Sequence, residues 1–148
     1  MYDIGCERAC KNIDIAYNFA RKAHEGQVDK AGVPYIVHPV TVAGMVDTPE
    51  EKIVALLHDV VEDTPVSIEA VRNLFGDRIA DAVSLLTHDK SVPYENYVKL
   101  IKGNELARKV KIADLKHNMD LRRIPNPKAE DMDRVVYKYI PAYVYLIS

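Results

Sequence analysis

The run Ile53-Val54-Ala55-Leu56-Leu57-His58-Asp59-Val60-Val61-Glu62-Asp63 constrains this chain more than any other segment. At about 100° per residue, a helix here places His58, Glu62, Asp59 and Asp63 on one arc of roughly 140°. Ile53, Val54, Leu56, Leu57, Val60 and Val61 take the opposite arc. One face therefore belongs to a core. The other gathers an imidazole and several carboxylates within an otherwise apolar run. Folding has no use for such a concentration, and burying it unpaired is costly. A metal ion is the simplest partner that makes it favourable.

The rest of the chain reads as helix. Ile13, Ala16, Tyr17, Ala20 and Ala23 recur at helical spacing, and Gly26 ends that element. A loop containing Gly32 and Pro34 leads to His38-Pro39, and proline suits the first turn of a short helix over 39–46. Thr48-Pro49-Glu50-Glu51 combines a cap, a proline and acids, and opens the ligand-bearing helix, which the pattern carries to Thr64-Pro65. Ser67 caps a helix to Phe75, closed by Gly76; Asp77 starts the next, which runs over 78–86. Pro93 precedes a helix with Tyr94, Tyr97 and Leu100. Asn104 caps a long one predicted through Leu121, and Pro125-Asn126-Pro127 breaks it. A last helix spans about 129–146, kinked at Pro141. Strand alternation is lacking. The expectation is an all-α bundle of about seven or eight helices in a single domain, residues 1–148.

Net charge is −2, so nothing draws the chain to polymeric nucleic acid or to anionic lipid. No apolar run approaches the roughly 18 residues of a membrane span, and Met1 to Arg8 lacks the apolar segment of a signal peptide. A cytoplasmic protein is expected. Cys6 and Cys10 read as reduced thiols one helical turn apart.

A second site-like segment is Lys111-Ile112-Ala113-Asp114-Leu115-Lys116-His117-Asn118, in which Asp114 and Asn118 lie one turn apart. With His38, His58 and Asp59, Asp114 completes a set of imidazoles and carboxylates. Such mixed nitrogen and oxygen donors suit Mn²⁺, Fe²⁺ or Zn²⁺ and disfavour Cu(I).

His38, His58-Asp59 and Asp114 reproduce the H…HD…D signature of HD-domain metal-dependent phosphohydrolases. The chain resembles most closely the hydrolase domain of the RelA/SpoT-type (p)ppGpp synthetase/hydrolases and the stand-alone small alarmone hydrolases. That resemblance is carried by Ala23-His24-Glu25-Gly26-Gln27, Gly32-Val33-Pro34-Tyr35-Ile36-Val37-His38-Pro39, Ala55 to Thr64, Phe75-Gly76 and Ala113 to Met119, and it covers about 12–121. It implies an HD-domain helical bundle in which His38, His58, Asp59 and Asp114 hold one Mn²⁺, and Glu62 and Asp63 orient and deprotonate the attacking water. It also implies that Lys30 and Asn118 contact a nucleotide, with release of pyrophosphate from a ribose 3′ position. The implied partner is thus a small nucleotide, not a polymer or a membrane; a homo-oligomer is compatible with the sequence.

Departures from the family stand at the nucleotide side. Asp29 occupies the position where an arginine usually packs on guanine, and an acid cannot stack as a guanidinium does. Asp120-Leu121-Arg122 stands where Arg-Thr-Leu is common, and Leu115-Lys116 interrupts the usual Asp-Arg-Leu-His. Two rivals follow: hydrolysis of another nucleotide, such as a deoxynucleoside monophosphate, and a nucleotide-binding regulatory module with little turnover. His24 reads as structural, His88 and His117 as non-ligands, and Lys90, Lys102, Lys111 and Lys116 as mostly solvated. Tyr94, Tyr97, Tyr137 and Tyr139 read as partial core.

Overall fold

The computed structural model describes residues 4–148, with side chains from residue 7 onward. Ten α-helical segments follow one another: α1 (Ile4–Ala23), α2 (Val37–Gly44), α3 (Pro49–Leu57), α4 (Val60–Asp63), α5 (Ile68–Phe75), α6 (Asp77–Leu86), α7 (Tyr94–Lys102), α8 (Glu105–Asn118), α9 (Ala129–Arg134) and α10 (Ile140–Ile147). The only strand-like pairing among the described residues is the bridge Val28–Pro34 in the loop after α1. The fold is all-α, as expected. Cys10 lies exposed on α1, and the side chain of Cys6 falls outside the described residues.

Local chemistry sets most of the helix starts. Thr48 caps α3 by accepting from the Glu51 N–H at 3.2 Å, and the Glu51 carboxylate returns to the Thr48 N–H. Ser67 accepts from Ala70 N–H, and Asn104 from Ala107 N–H. Helix α3 lies at the centre, packed against α1, α2, α6 and α8. Its Val54 and Leu57 are fully buried, together with Val42, Val83, Val110 and Leu115 from its neighbours. No helix among the described residues is long and apolar enough to cross a membrane.

In three places the backbone departs from the pattern. The ligand-bearing helix is not continuous: α3 ends at Leu57, and α4 begins at Val60. The cause lies in His58, whose Nδ1 reaches the Ala55 carbonyl at 2.5 Å. In an unbroken helix that carbonyl would accept from the Asp59 N–H, so the ring competes with the ladder. Asp59 sits at φ −102°, ψ −2°, and the chain resumes with Asp63 N–H bonded to Asp59 C=O at 3.0 Å. Likewise α8 stops at Asn118 rather than at Leu121, because the Asp120 carboxylate caps a separate 3₁₀ turn over Leu121–Arg123. The last helix is interrupted between α9 and α10 by a π-turn over Val135–Tyr139, in which Ile140 N–H bonds Val135 C=O. Pro141, lacking an N–H, sits in the first turn of α10, and the π register absorbs its demand.

Replacing Leu57 tests the central position of α3. Leu57→Ala should lower unfolding free energy by about 2–5 kcal/mol in urea titrations. A loss below about 1 kcal/mol would show that α3 does not organise the core.

Candidate metal centre

Three segments deliver four donors to one point. His38 lies in the first turn of α2, His58 and Asp59 at the α3–α4 break, and Asp114 near the end of α8. His38 Nε2 lies 2.9 Å from Asp114 Oδ1 and 3.6 Å from Asp59 Oδ2. His58 Nε2 lies 3.1 Å from Asp59 Oδ2 and 3.3 Å from Asp114 Oδ1. Donors held at about 2.1 Å from a common ion stand about 3.0–3.4 Å apart, and the His/Asp separations here, 2.9–3.6 Å, lie around that range. His38, His58 and Asp114 are buried, and Asp59 is nearly so.

Surrounding groups fix the orientation of each donor. With His58 Nδ1–H given to the Ala55 carbonyl, Nε2 faces the centre. His38 Nδ1 lies 2.6 Å from His117 Nδ1, and the two rings stack with centroids 4.9 Å apart. Burial, and then the Arg123 and His38 charges, push His117 down to about 4. His117 is therefore neutral near pH 7 and accepts from His38, which turns His38 Nε2 inward. Asp114 Oδ2 accepts from Lys111 Nζ at 2.9 Å, and Oδ1 from Asn118 Nδ2 at 3.1 Å. Burial works to raise the Asp114 pKa, but Lys111 and the two imidazoles hold it well below the usual range. Asp59 Oδ2 accepts from the Tyr35 hydroxyl at 2.6 Å. Burial opposes its charge as well, yet His58 keeps Asp59 at about 2.

Glu62 and Asp63 bring their carboxylates alongside Asp59. Glu62 Oε1 accepts from the His88 N–H at 2.6 Å. Asp63 keeps a carboxyl oxygen 3.5 Å from the Tyr35 hydroxyl. Partial burial, then the charges of Asp59 and Glu62, raise its pKa to about 6.

A cleft of about 310 Å³ adjoins the centre, with Tyr35 and Asn118 shared between the two. Lys30 lies at its lip and donates to Asp131 at 3.0 Å, and Arg134 donates to the same carboxylate oxygen. Asp29 also lines the cleft, and its Oδ1 accepts from Ala31 N–H and Val33 N–H. Asp29 thus shapes the loop as an acceptor, a role that arginine could not fill.

Of the expected site residues, His38, His58, Asp59 and Asp114 converge, Glu62 and Asp63 stand alongside Asp59, Asn118 bonds Asp114, and Lys30 lines the adjoining cleft, paired with Asp131. Lys111, expected to be solvated, is instead largely enclosed against Asp114, with its side chain 12% exposed and its Nζ 5.3 Å from the Tyr97 ring centroid. Its i, i+3 spacing from Asp114 was the available signal. His117, three residues past Asp114, carried the same kind of signal. Tyr35 and Gln27 carried none beyond their place in the matched motif.

Comparison with known proteins identifies the family. The HD domain family model matches residues 16–137. The chain belongs to the HD domain family. It is 38% identical over 128 residues to the bifunctional (p)ppGpp synthase/hydrolase SpoT of Escherichia coli K12, covering 76% of this chain and 18% of that protein. It is 37% identical over 121 residues to the guanosine-3′,5′-bis(diphosphate) 3′-pyrophosphohydrolase of Aquifex aeolicus, covering 74% of this chain and 17% of that one. The chain thus spans about a fifth of the length of the curated relatives it matches. A solved structure, of a metazoan ortholog of SpoT that hydrolyzes ppGpp, superposes with a TM-score of 0.74 at 26% identity, over 92% of this chain and 85% of that one.

The site predicts a proton-linked metal equilibrium. Burial disfavours charged His58, but Asp59 and Asp114 outweigh it and raise its pKa well above the ordinary value. In metal-free protein His58 thus carries a proton that a metal must displace. Mn²⁺ affinity should rise about tenfold per pH unit below that pKa, with proton release in calorimetry across buffers of different ionisation enthalpy. A pH-independent Kd without proton release would contradict the assignment.

Proposed function

We propose that this chain is a metal-dependent nucleotide phosphohydrolase, with guanosine 3′,5′-bis(diphosphate) as leading substrate, the ribose 3′ oxygen as leaving group and pyrophosphate as the group released to water. The observation that carries the reading is the convergence of His38, His58, Asp59 and Asp114 beside the Glu62–Asp63 pair and the cleft. The relatives' names and the solved structure support the substrate.

His38, His58 and Asp114, joined by Asp59 through its contacts with both imidazoles, would hold one divalent ion, Mn²⁺ on the family resemblance, with Fe²⁺ or Zn²⁺ also matching the donor chemistry. Such an ion supplies positive charge that polarises a phosphoryl oxygen and acidifies water. The chain's own residues do the rest. Asp63, with its pKa raised to about 6, accepts the proton of the attacking water, and the Glu62 charge beside it strengthens it as a base. Water adds to the phosphorus next to the ribose 3′ oxygen, that P–O bond breaks, and the 3′ oxygen takes a proton as pyrophosphate departs. Asn118, bonded to Asp114, presents its amide where centre and cleft meet and contacts the ribose. Lys30 offsets phosphate charge from the lip of the cleft.

A second reading, hydrolysis of a different nucleotide, rests on Asp29, which lines the cleft where a guanine-stacking arginine is usual in the family. Mn²⁺-loaded protein should convert ppGpp to GDP and pyrophosphate, and Asp59→Ala should abolish this. Turnover of deoxynucleoside monophosphates alone would move the substrate; binding of ppGpp without pyrophosphate release would favour a regulatory module.

Asp63 sets the acid side of the pH profile. Its carboxylate is lost as pH falls through about 6, and a neighbouring dication shifts that limb lower. Activity should therefore fall with acidification at or below about pH 6, and Asp63→Asn should cost about 10²-fold or more in kcat. An unchanged kcat would remove Asp63 from the chemistry.

A further inference from the structure

We infer that Gln27, held in one orientation by the buried ring of His24, is the positioning residue that fixes Asp63 and Tyr35 beside the centre; the inference rests on the hydrolase reading. The hydrogen bonds determine the arrangement without ambiguity. Gln27 Nε2 donates to the Asp63 main-chain carbonyl at 2.9 Å. A carbonyl only accepts, so the amide NH₂ must lie on that side. Gln27 Oε1 then faces His24 Nδ1, also at 2.9 Å, and His24 must donate through Nδ1–H. This leaves His24 Nε2 buried with no protein partner among the described residues, in a residue 2% exposed.

An unsatisfied buried nitrogen is costly enough to demand a reason. The reason lies in what the other nitrogen achieves. Gly26, at φ +83°, turns the chain after α1 so that Gln27 N–H returns to the His24 carbonyl at 3.0 Å. From that point Gln27 reaches two parts of the site. Its main-chain carbonyl accepts from Tyr35 N–H at 2.9 Å, and its side chain holds the last residue of α4. The His24 ring also packs on the Tyr35 ring, with centroids 4.9 Å apart. Tyr35 in turn donates to Asp59 at 2.6 Å, with Asp63 3.5 Å away. Helix α4 is a single turn of four residues, too short to hold its end unaided, and Gln27 ties it to α1.

Substitutions separate positioning from packing. Asparagine places an N–H donor where His24 Nδ1 stands, whereas glutamine places it where Nε2 stands and fills the volume better. His24→Asn should keep kcat within about threefold of the parent, while His24→Gln and Gln27→Leu should lower kcat about tenfold or more with KM within about twofold. Metal content should stay at the parent level. Equal or better kcat in His24→Gln than in His24→Asn, an effect on KM alone, or loss of metal from Gln27→Leu would overturn the inference. Amide exchange decides independently of turnover. Amides of residues 60–64 should exchange about tenfold faster in Gln27→Leu and His24→Gln but not in His24→Asn, and unchanged exchange would overturn it. A parent protein without turnover that still showed this exchange pattern would remove the hydrolase reading and retain the positioning.

Discussion

Asp114 is a buried carboxylate that meets two imidazoles, an ammonium and an amide, and the site's geometry depends on how that charge is satisfied. A lone carboxylate in such surroundings would take up a proton instead of staying charged. Lys111 prevents this from the same helix, one turn back, and is itself held in the cationic form by Asp114 despite burial. The pair leaves Asp114 Oδ1 pointing at His38 and His58, which binds α2 and α3 to α8 through polar contacts within the core. Removing either partner would leave the other buried charge less well compensated, which is strongly destabilising.

The second constraint is the break at His58-Asp59. An unbroken helix would separate successive side chains by about 100°. By taking the Ala55 carbonyl, the His58 ring orients itself and loosens the ladder at the point where Asp59 must turn toward the same centre. One hydrogen bond thus sets a donor's tautomer and the backbone geometry of its neighbour. The single turn that follows carries Glu62 and Asp63 beside the ligands, where burial and then the neighbouring carboxylates raise Asp63.

Much of this was legible in the sequence, for physical reasons that can be named. Helix starts at Thr48, Ser67 and Asn104 depend on contacts within a few residues, so the residue types announce them. His58 and Asp59 stood out because no structural need accounts for such groups in an apolar run, whereas His38 and Asp114 were joined to them by the H…HD…D resemblance. What was not legible depends on distant partners. Lys111 is an ordinary solvated lysine until Tyr97 and Asp114 enclose it. The interruption at His58 arises from a ring competing for a carbonyl, which periodicity does not register. The stop at Asn118 reflects the capping choice of Asp120, and the π-turn at Val135–Tyr139 reflects Pro141; both residues were visible, but not which backbone solution each would impose. The contact of Gln27 with Asp63 spans 36 positions and has no local signature.

The central claim is that these donors form one metal centre. Anomalous diffraction from crystals grown with Mn²⁺ tests it most directly. The account predicts one strong peak equidistant from His38 Nε2, His58 Nε2, Asp59 Oδ2 and Asp114 Oδ1, at about 2.0–2.3 Å from each. A peak elsewhere on the chain, or none at the four donors under saturating Mn²⁺, would contradict it.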